Sequence, residues 1–353
     1  MDRLPTHSLP TNGHSKRILE AQHPPHQPIG QYALTRFLHR RSQYFTWSWF
    51  LSALASLGLS LVLANEPHRF YGLTTIGKVA YLFGVTQYVV ILFFAVWRSL
   101  TQRGWFRQTL AEPSEALSFA TSWMGFAALL GGARFGKQHL MVPNMTPSWL
   151  LPCFPVILCG TIASIAASGI EAVHAFPILI AGLTFQGLGF LMSILVFAIY
   201  LHRLFRVGLP DPEIRPAMFL AVGPPAFTSI ALLRLTNDIP QYSYFLAHPD
   251  AKSILSVMSV FFAIFLWTYT FWVFCLALVA CMMAFTRIPF HLSWYAFVFP
   301  NVGFTIAAID IGRALESSAI SWVATAMTLM VATVYVGVLL CHIRALWLGR
   351  SMV

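Results

Sequence analysis

Long apolar runs separated by short polar turns organise this chain. Runs of about 20 apolar residues, the length a helix needs to cross a bilayer, fall at 45–64, 77–97, 117–135, 150–168, 175–200, 217–235, 254–285, 294–311 and 319–347. Each predicts a membrane-spanning helix, because backbone exposed to lipid must satisfy its own hydrogen bonds. The run from Ile254 is long enough to tilt or to project from the bilayer. Trp47, Trp49, Trp97, Trp149, Trp294, Trp322 and Trp347 stand near the predicted ends, where indole rings favour the headgroup layer.

Proline is shared unevenly among these runs. The run from Leu150 holds Pro152 and Pro155, the run from Ala217 holds Pro224 and Pro225, and the run from Trp294 holds Pro300, followed by Gly303. Inside a helix a proline removes a donor and frees a carbonyl, which a bilayer tolerates only where protein or a watery cavity serves that group. Helices interrupted in this way line a path across the membrane, or they are ordinary kinks in packed helices, since Gly and Pro are frequent in membrane spans. Pro177 sits near the start of its run, where proline is tolerated. Phe154 precedes Pro155, Phe299 precedes Pro300, and Phe227 follows Pro225 by two residues. On several interrupted helices at one depth, such rings form a hydrophobic plug that excludes water; on one helix they are core packing.

Composition narrows the class. The chain has 353 residues, 57% apolar and 10% charged, with a mean hydropathy of +0.68, which places it among all-α integral membrane proteins. The formal charge of +10 is distributed over alternate loops, which fits orientation against a bilayer rather than nucleic-acid binding. Residues 1–44 read as a cytoplasmic tail: Pro, His and Gly without a signal-like apolar run up to residue 30, then an interfacial stretch with Arg36, His39, Arg40 and Arg41. Residues 45–347 form the membrane domain and 348–353 a short tail. His23 and His26 are two ligands that do not by themselves fill a coordination shell, so no metal is expected, nor any cofactor. Cys153, Cys159, Cys275, Cys281 and Cys341 all lie in apolar runs with no CxxC pair, which removes a disulfide framework. An enzyme would need clustered reacting groups, and the spans offer His174 and His342 singly.

Charge parity adds a constraint. With Arg3, Lys16, Arg17, Arg36, Arg40 and Arg41 held in the cytoplasm, nine crossings would leave Arg203, Arg206 and Arg215 outside. One more crossing ahead of Leu150 brings them inside, as the positive-inside rule requires. The pattern therefore predicts a ten-span bundle with one span missing.

Four strings carry a resemblance: FYGLTTIGKVAYLF from Phe70, TPSWLLPCFPVILCGTIAS from Thr146, VGPPAFTSIAL from Val222 and WYAFVFPNVGFTIA from Trp294. They resemble the tellurite-resistance and dicarboxylate transporter family, part of the voltage-dependent slow anion channel-like superfamily, and within it the fungal malic acid transport proteins. The resemblance runs from about residue 45 to the C-terminus. It implies ten helices in five hairpins around a central pore lined by the odd-numbered helices. It also implies a pore gate at Phe299, with Phe154 and Phe227 as companion aromatics and Pro155, Pro224, Pro225, Pro300 and Gly303 as pore-lining candidates. The partners implied are a small anion, malate or another C4-dicarboxylate, the lipid bilayer of the plasma membrane, and further copies of the chain, as in trimeric relatives. Sulfite efflux, inorganic anion conduction and a non-transporting isoform are the alternatives.

The family has a fourth span where this chain has only GGARFGKQHLMVPNM, 131–145. Fifteen residues fall short of about 30 Å as a helix and reach across only in a more extended form, so the ten-span orientation leaves a gap in the outer ring of helices. Polar residues inside spans are functional candidates by default. Arg234 either attracts a dicarboxylate or snorkels to the interface. Asp310 and Arg313, three residues apart, are spaced for an ion pair, Asp310 being alternatively a proton-coupling site. Gln186 and Asn301 bond either substrate or a neighbouring helix.

Overall fold

The apolar runs form helices whose character differs between alternate spans. The computed structural model describes residues 46–101, 142–237, 239 and 243–348, and eight helices among these are long and apolar enough to cross a membrane. They correspond to eight of the nine expected spans; the run 117–135, the tail 1–44 and most of 131–145 lie outside the described residues. The α-helical parts are α1 (Phe50–Asn65), α2 (Leu73–Thr101), α3 (Phe154–Ala167), α4 (Ala172–Val207), α5 (Gly223–Asn237), α6 (Ala251–Met282), α7 (Phe299–Ala314) and α8 (Ser318–Trp347).

The buried share of the eight spans, taken in chain order, is 67, 17, 56, 28, 94, 22, 83 and 28%. Four spans thus form an inner layer, carrying α1, α3, α5 and α7. The spans carrying α2, α4, α6 and α8 turn most of their surface outward, as lipid-facing helices do. Each inner helix pairs with the outer helix that follows it. Close approach is bought with glycine: Gly84 of α2 lies against Leu57, and Gly182 and Gly189 of α4 lie against Ala163 and Ile157, the small-residue packing that membrane helices use in place of hydrophobic drive. Ser56 of α1, buried, bonds Gln87 of α2 and lies 2.8 Å from the Tyr335 hydroxyl of α8, a polar tie across three helices.

The inner spans share a second property. Each begins as a 3₁₀ segment and finishes as α-helix: Trp47–Trp49 before α1, Pro147–Cys153 before α3, Pro212–Val222 before α5 and Leu292–Phe297 before α7. This corrects the expectation of prolines interrupting otherwise continuous helices. Pro155 and Pro300 occupy the first turn of α3 and α7, and Pro224 and Pro225 follow Gly223 at the start of α5. A first-turn proline fixes φ in the helical range and forfeits little hydrogen bonding there. The interruption is a change of helix type, and in the spans carrying α3, α5 and α7 proline marks where the α half begins.

The parity argument also meets geometry. The Nε of Arg203, near the end of α4, donates to the Pro143 carbonyl at 3.3 Å. Arg215 donates to Ala280 at the end of α6, the Ser293 hydroxyl to Glu213, and Trp49 packs on His342 near the end of α8. These contacts place 142–144 at the end of the bundle where α1 begins. Because α2 runs back antiparallel to α1, with Gly84 beside Leu57 and Gly77 beside Leu63, Thr101 lies at that same end. Residues 101 and 142 therefore leave and re-enter the described structure on one side, and Arg203, Arg206 and Arg215 share the side of the chain's first span.

Candidate functional site

Three phenylalanines meet in the inner layer. The ring of Phe299, at the first residue of α7, stacks on Phe227 of α5 with centroids 5.3 Å apart and lies 5.9 Å from Phe154 of α3. All three are buried. The positions singled out from the sequence as a gate and its companions are thus brought into one cluster, each at or near the start of an inner α segment.

Each ring rests on a glycine of the next inner helix. A Cβ at Gly223 of α5 would come within 2.5 Å of the Phe154 ring, one at Gly303 of α7 within 3.0 Å of Phe227, and one at Gly58 of α1 within 3.3 Å of Phe299. Only glycine leaves a flat backbone seat for a ring at such separations. Gly303 was a candidate from sequence; Gly58 and Gly223 were not. On α5 and α7 a glycine and a ring stand one helical turn apart, Gly223–Phe227 and Phe299–Gly303, but that spacing does not say which ring of another helix each glycine meets.

Beside the rings opens a cavity of about 230 Å³, lined among others by Leu51, Phe154, Pro155, Tyr295, Phe299 and Pro300. Its walls are largely apolar. The Tyr295 hydroxyl turns away from it to His342 Nδ1, 2.7 Å distant.

The two mid-span amides act between and along helices. Gln186 of α4 donates through Nε2 to Thr228 Oγ1 of α5 at 2.8 Å, while its Oε1 is buried without a hydrogen-bond partner among the described residues. Asn301 donates to the Phe297 carbonyl at 2.8 Å, bridging the junction between 3₁₀ segment and α7, and its Oδ1 likewise has no such partner.

The charged candidates gather at the far end, where α1, α5 and α7 finish. Arg234 grips Asp310 with Nε–Oδ2 at 2.8 Å and Nη2–Oδ1 at 3.3 Å, and Nη2 also reaches Asn65 Oδ1 at 3.2 Å. It does not snorkel outward: a carboxylate on a neighbouring inner helix offers it two oxygens in the fork geometry a guanidinium prefers. The expected Asp310–Arg313 pair is present at 3.6 Å, and Arg313 also donates to the Asn65 carbonyl. Asp310 thus commits both oxygens to two guanidinium groups, and Asn65 ties α1 to both arginines.

One grouping escaped the sequence reading. Glu66, buried just beyond α1, accepts from Thr325 Oγ1 of α8 at 2.6 Å, and His68 Nδ1 stands 2.6 Å from the same hydroxyl. A glutamate at the end of an apolar run is normally solvated, so nothing in the run itself marked this one as enclosed.

The arrangement comprises a cluster of aromatic rings, an adjoining apolar cavity and a group of paired charges where α1, α5 and α7 finish, within a multi-pass membrane protein. Comparison with known proteins bears on it directly. The family model described as voltage-dependent anion channel (SLAC1) matches residues 44–142 and 132–343. The two matched stretches overlap at 132–142, within the segment 131–145 where the resemblance to the family lacks a fourth span. A malic acid transport protein of Schizosaccharomyces pombe is 33% identical over 84% of this chain and 75% of its own length. A putative malic acid transport protein of the same organism is 29% identical over 88% and 82%. A sulfite efflux pump of Arthroderma otae is 25% identical over 82% and 87%. These relatives are transporters rather than enzymes, and with most of its length matched the chain belongs to the voltage-dependent anion channel family.

Proposed function

We propose that this protein carries small organic anions, malate or related C4-dicarboxylates, across the plasma membrane along a path through its inner helices, with the N-terminus cytoplasmic and the Phe299 cluster as the gate. The observation that carries the reading is the convergence of Phe154, Phe227 and Phe299 from three inner helices. An apolar constriction of stacked rings closes a path by excluding water. Anions are favoured in the flanking spaces by weakly positive helix ends and backbone donors rather than by a dedicated cationic pocket. Malate is chosen from the names of the two yeast relatives. Uptake coupled to protons is part of the proposal.

Sulfite efflux is the second reading, favoured by the similarity to the Arthroderma pump. The deciding experiment is uptake of radiolabelled malate by cells lacking their own carrier, measured against external pH. Uptake that collapses with the pH gradient is the expected result. No malate uptake with intact sulfite efflux would overturn the malate reading, and no flux of either anion from a protein present at the membrane would leave the non-transporting isoform.

A further inference from the structure

Asp310 was the sequence candidate for proton coupling, but both its oxygens are engaged by Arg234 and Arg313. The other enclosed carboxylate at this end, Glu66, is placed differently. Its Oε1 takes the Thr325 hydroxyl at 2.6 Å, and its Oε2 is buried with no hydrogen-bond partner among the described residues. Leaving an ionised carboxylate oxygen buried and unserved is costly, whereas adding a proton removes the charge. A route to water exists. His68 Nδ1 lies 2.6 Å from Thr325 Oγ1, and the imidazole is about one-third exposed and stacked on Trp322 at 4.1 Å. Histidine, hydroxyl and carboxyl thus form a continuous chain from the surface to a buried acid.

We propose that His68, Thr325 and Glu66 form the proton-binding site of this protein, with Glu66 as the acceptor and His68 as the port. When Glu66 is ionised, Thr325 donates to Oε1 and the His68 Nδ1–H donates to Thr325 Oγ1. A proton from water binds at His68 Nε2; the Nδ1 proton passes to Thr325 and the hydroxyl proton passes to Glu66. The end state has neutral Glu66 and neutral His68 in its Nε2–H form, with Thr325 now donating to Nδ1. One proton has entered, and no electrons have moved.

The site borders the charged mouth. Asn65, next to Glu66 in sequence, accepts from Arg234 and Arg313, which share Asp310; Arg69 donates to the Ala64 carbonyl. From α8, Thr325 bonds Ser321 as well as Glu66. Neutralising Glu66 removes a negative charge at the end of the bundle that carries Arg69, Arg234 and Arg313, so that end becomes more attractive to an anion when the proton is bound, and the bound anion in turn favours the proton. This reciprocity is what symport requires.

The inference rests on the transport reading, so its test has one arm independent of flux. In purified protein, a pH-difference infrared spectrum reports carboxylic-acid formation directly. Acidification should produce a carboxylic C=O band that Glu66→Gln abolishes and that Thr325→Val weakens or displaces. In proteoliposomes, the rise of radiolabelled malate uptake on acidification should be lost in Glu66→Gln and in Thr325→Val, and Thr325→Ser should restore it. Wild-type bands and pH response in both variants would overturn the proposal, as would wild-type uptake that ignores pH. Absent flux in every sample would count against transport, leaving the infrared arm to decide whether Glu66 takes the proton.

Discussion

Phe227 stacks against Phe299 at 5.3 Å, and the same Phe227 ring seats on Gly303, one turn beyond Phe299 on the same helix. The contact is therefore made twice between α5 and α7, once through the rings and once through bare backbone. The proposed gate and the helix interface are the same surface.

If the rings obstruct an anion path, Phe299→Ala opens it. Anion current through planar bilayers should rise severalfold in the variant with the protein folded and at normal abundance. A Phe299 that served only packing would instead show itself as instability, since a buried Phe-to-Ala cavity costs about 3–5 kcal/mol; unchanged current from a well-folded variant contradicts the gate.

Gly223→Ala drives a methyl group to within 2.5 Å of the Phe154 ring, a distance at which something must shift. Overpacking of this kind costs about 1–3 kcal/mol. Adding Phe154→Leu, which shortens the obstructed side chain, should recover part of the loss. Thermal unfolding of the two single variants and the double variant measures this coupling, and strict additivity would show that ring and glycine do not meet.

Arg234 and Asp310 should be coupled in the same sense. Asp310→Asn leaves two guanidinium groups without their carboxylate, and Arg234→Gln leaves Asp310 with Arg313 alone. Hydrogen bonds to charged groups are worth about 1.5–3 kcal/mol, and each single substitution is expected to lower stability on that scale, the double variant by less than the sum. A double-mutant cycle in detergent reads the difference.

His291 gives a pH-dependent stability whose sign is fixed. Burial pushes its imidazole below the ordinary value, with the Glu213 carboxylate partly opposing, and Nδ1 accepts the Ser293 N–H at 3.2 Å, which requires that nitrogen unprotonated. The folded state favours the neutral ring, so the unfolded chain binds more protons at acid pH. The contribution is intact above about pH 6.5, the ordinary histidine value, and is lost as pH falls from there toward the folded value. The unfolding midpoint should drop less on acidification in His291→Asn, which keeps a capping side chain, than in the wild type; equal acid slopes would exclude His291 as a source.

Asn144-Met145-Thr146 is a glycosylation sequon, and Arg203 bonds the adjacent Pro143. With the arginine-rich end in the cytoplasm, Asn144 should carry no glycan in a secretory-pathway host. A robust mass shift abolished by Asn144→Gln, from a well-expressed chain, would show the inverted orientation.

The spans were legible because crossing lipid demands about 20 apolar residues whatever the partners, and three of the four inner spans were legible in their prolines, the one carrying α1 having none. What proline did there was not. A hydrophobic run has the same composition whether its first half is 3₁₀ or α, so Pro155 and Pro300 read as breaks within helices rather than as starts of their α halves. The three clustered rings could be picked from their place beside proline, but their glycine seats depend on which helix stands next to which. Gly58 and Phe299 belong to opposite ends of the chain. The same distance hid the relay: Glu66 and Thr325 are 259 residues apart, and each alone looks like an ordinary end-of-span or outer-helix residue. Arg234 was visible as a charge, yet the choice between water and Asp310 is made by the neighbouring helix.

If the three rings are the proposed plug, the seating of each on the following helix gives that plug the character of overlapping leaves. A leaf that overlaps its neighbour cannot be lifted alone. Rotating one inner helix carries its own phenylalanine aside and withdraws the floor beneath the ring before it, so a disturbance at α7 is handed to α5 and from there to α3. Opening of such a shutter follows the turning of packed helices, whose pace is microseconds to milliseconds, rather than the far quicker flipping of single side chains.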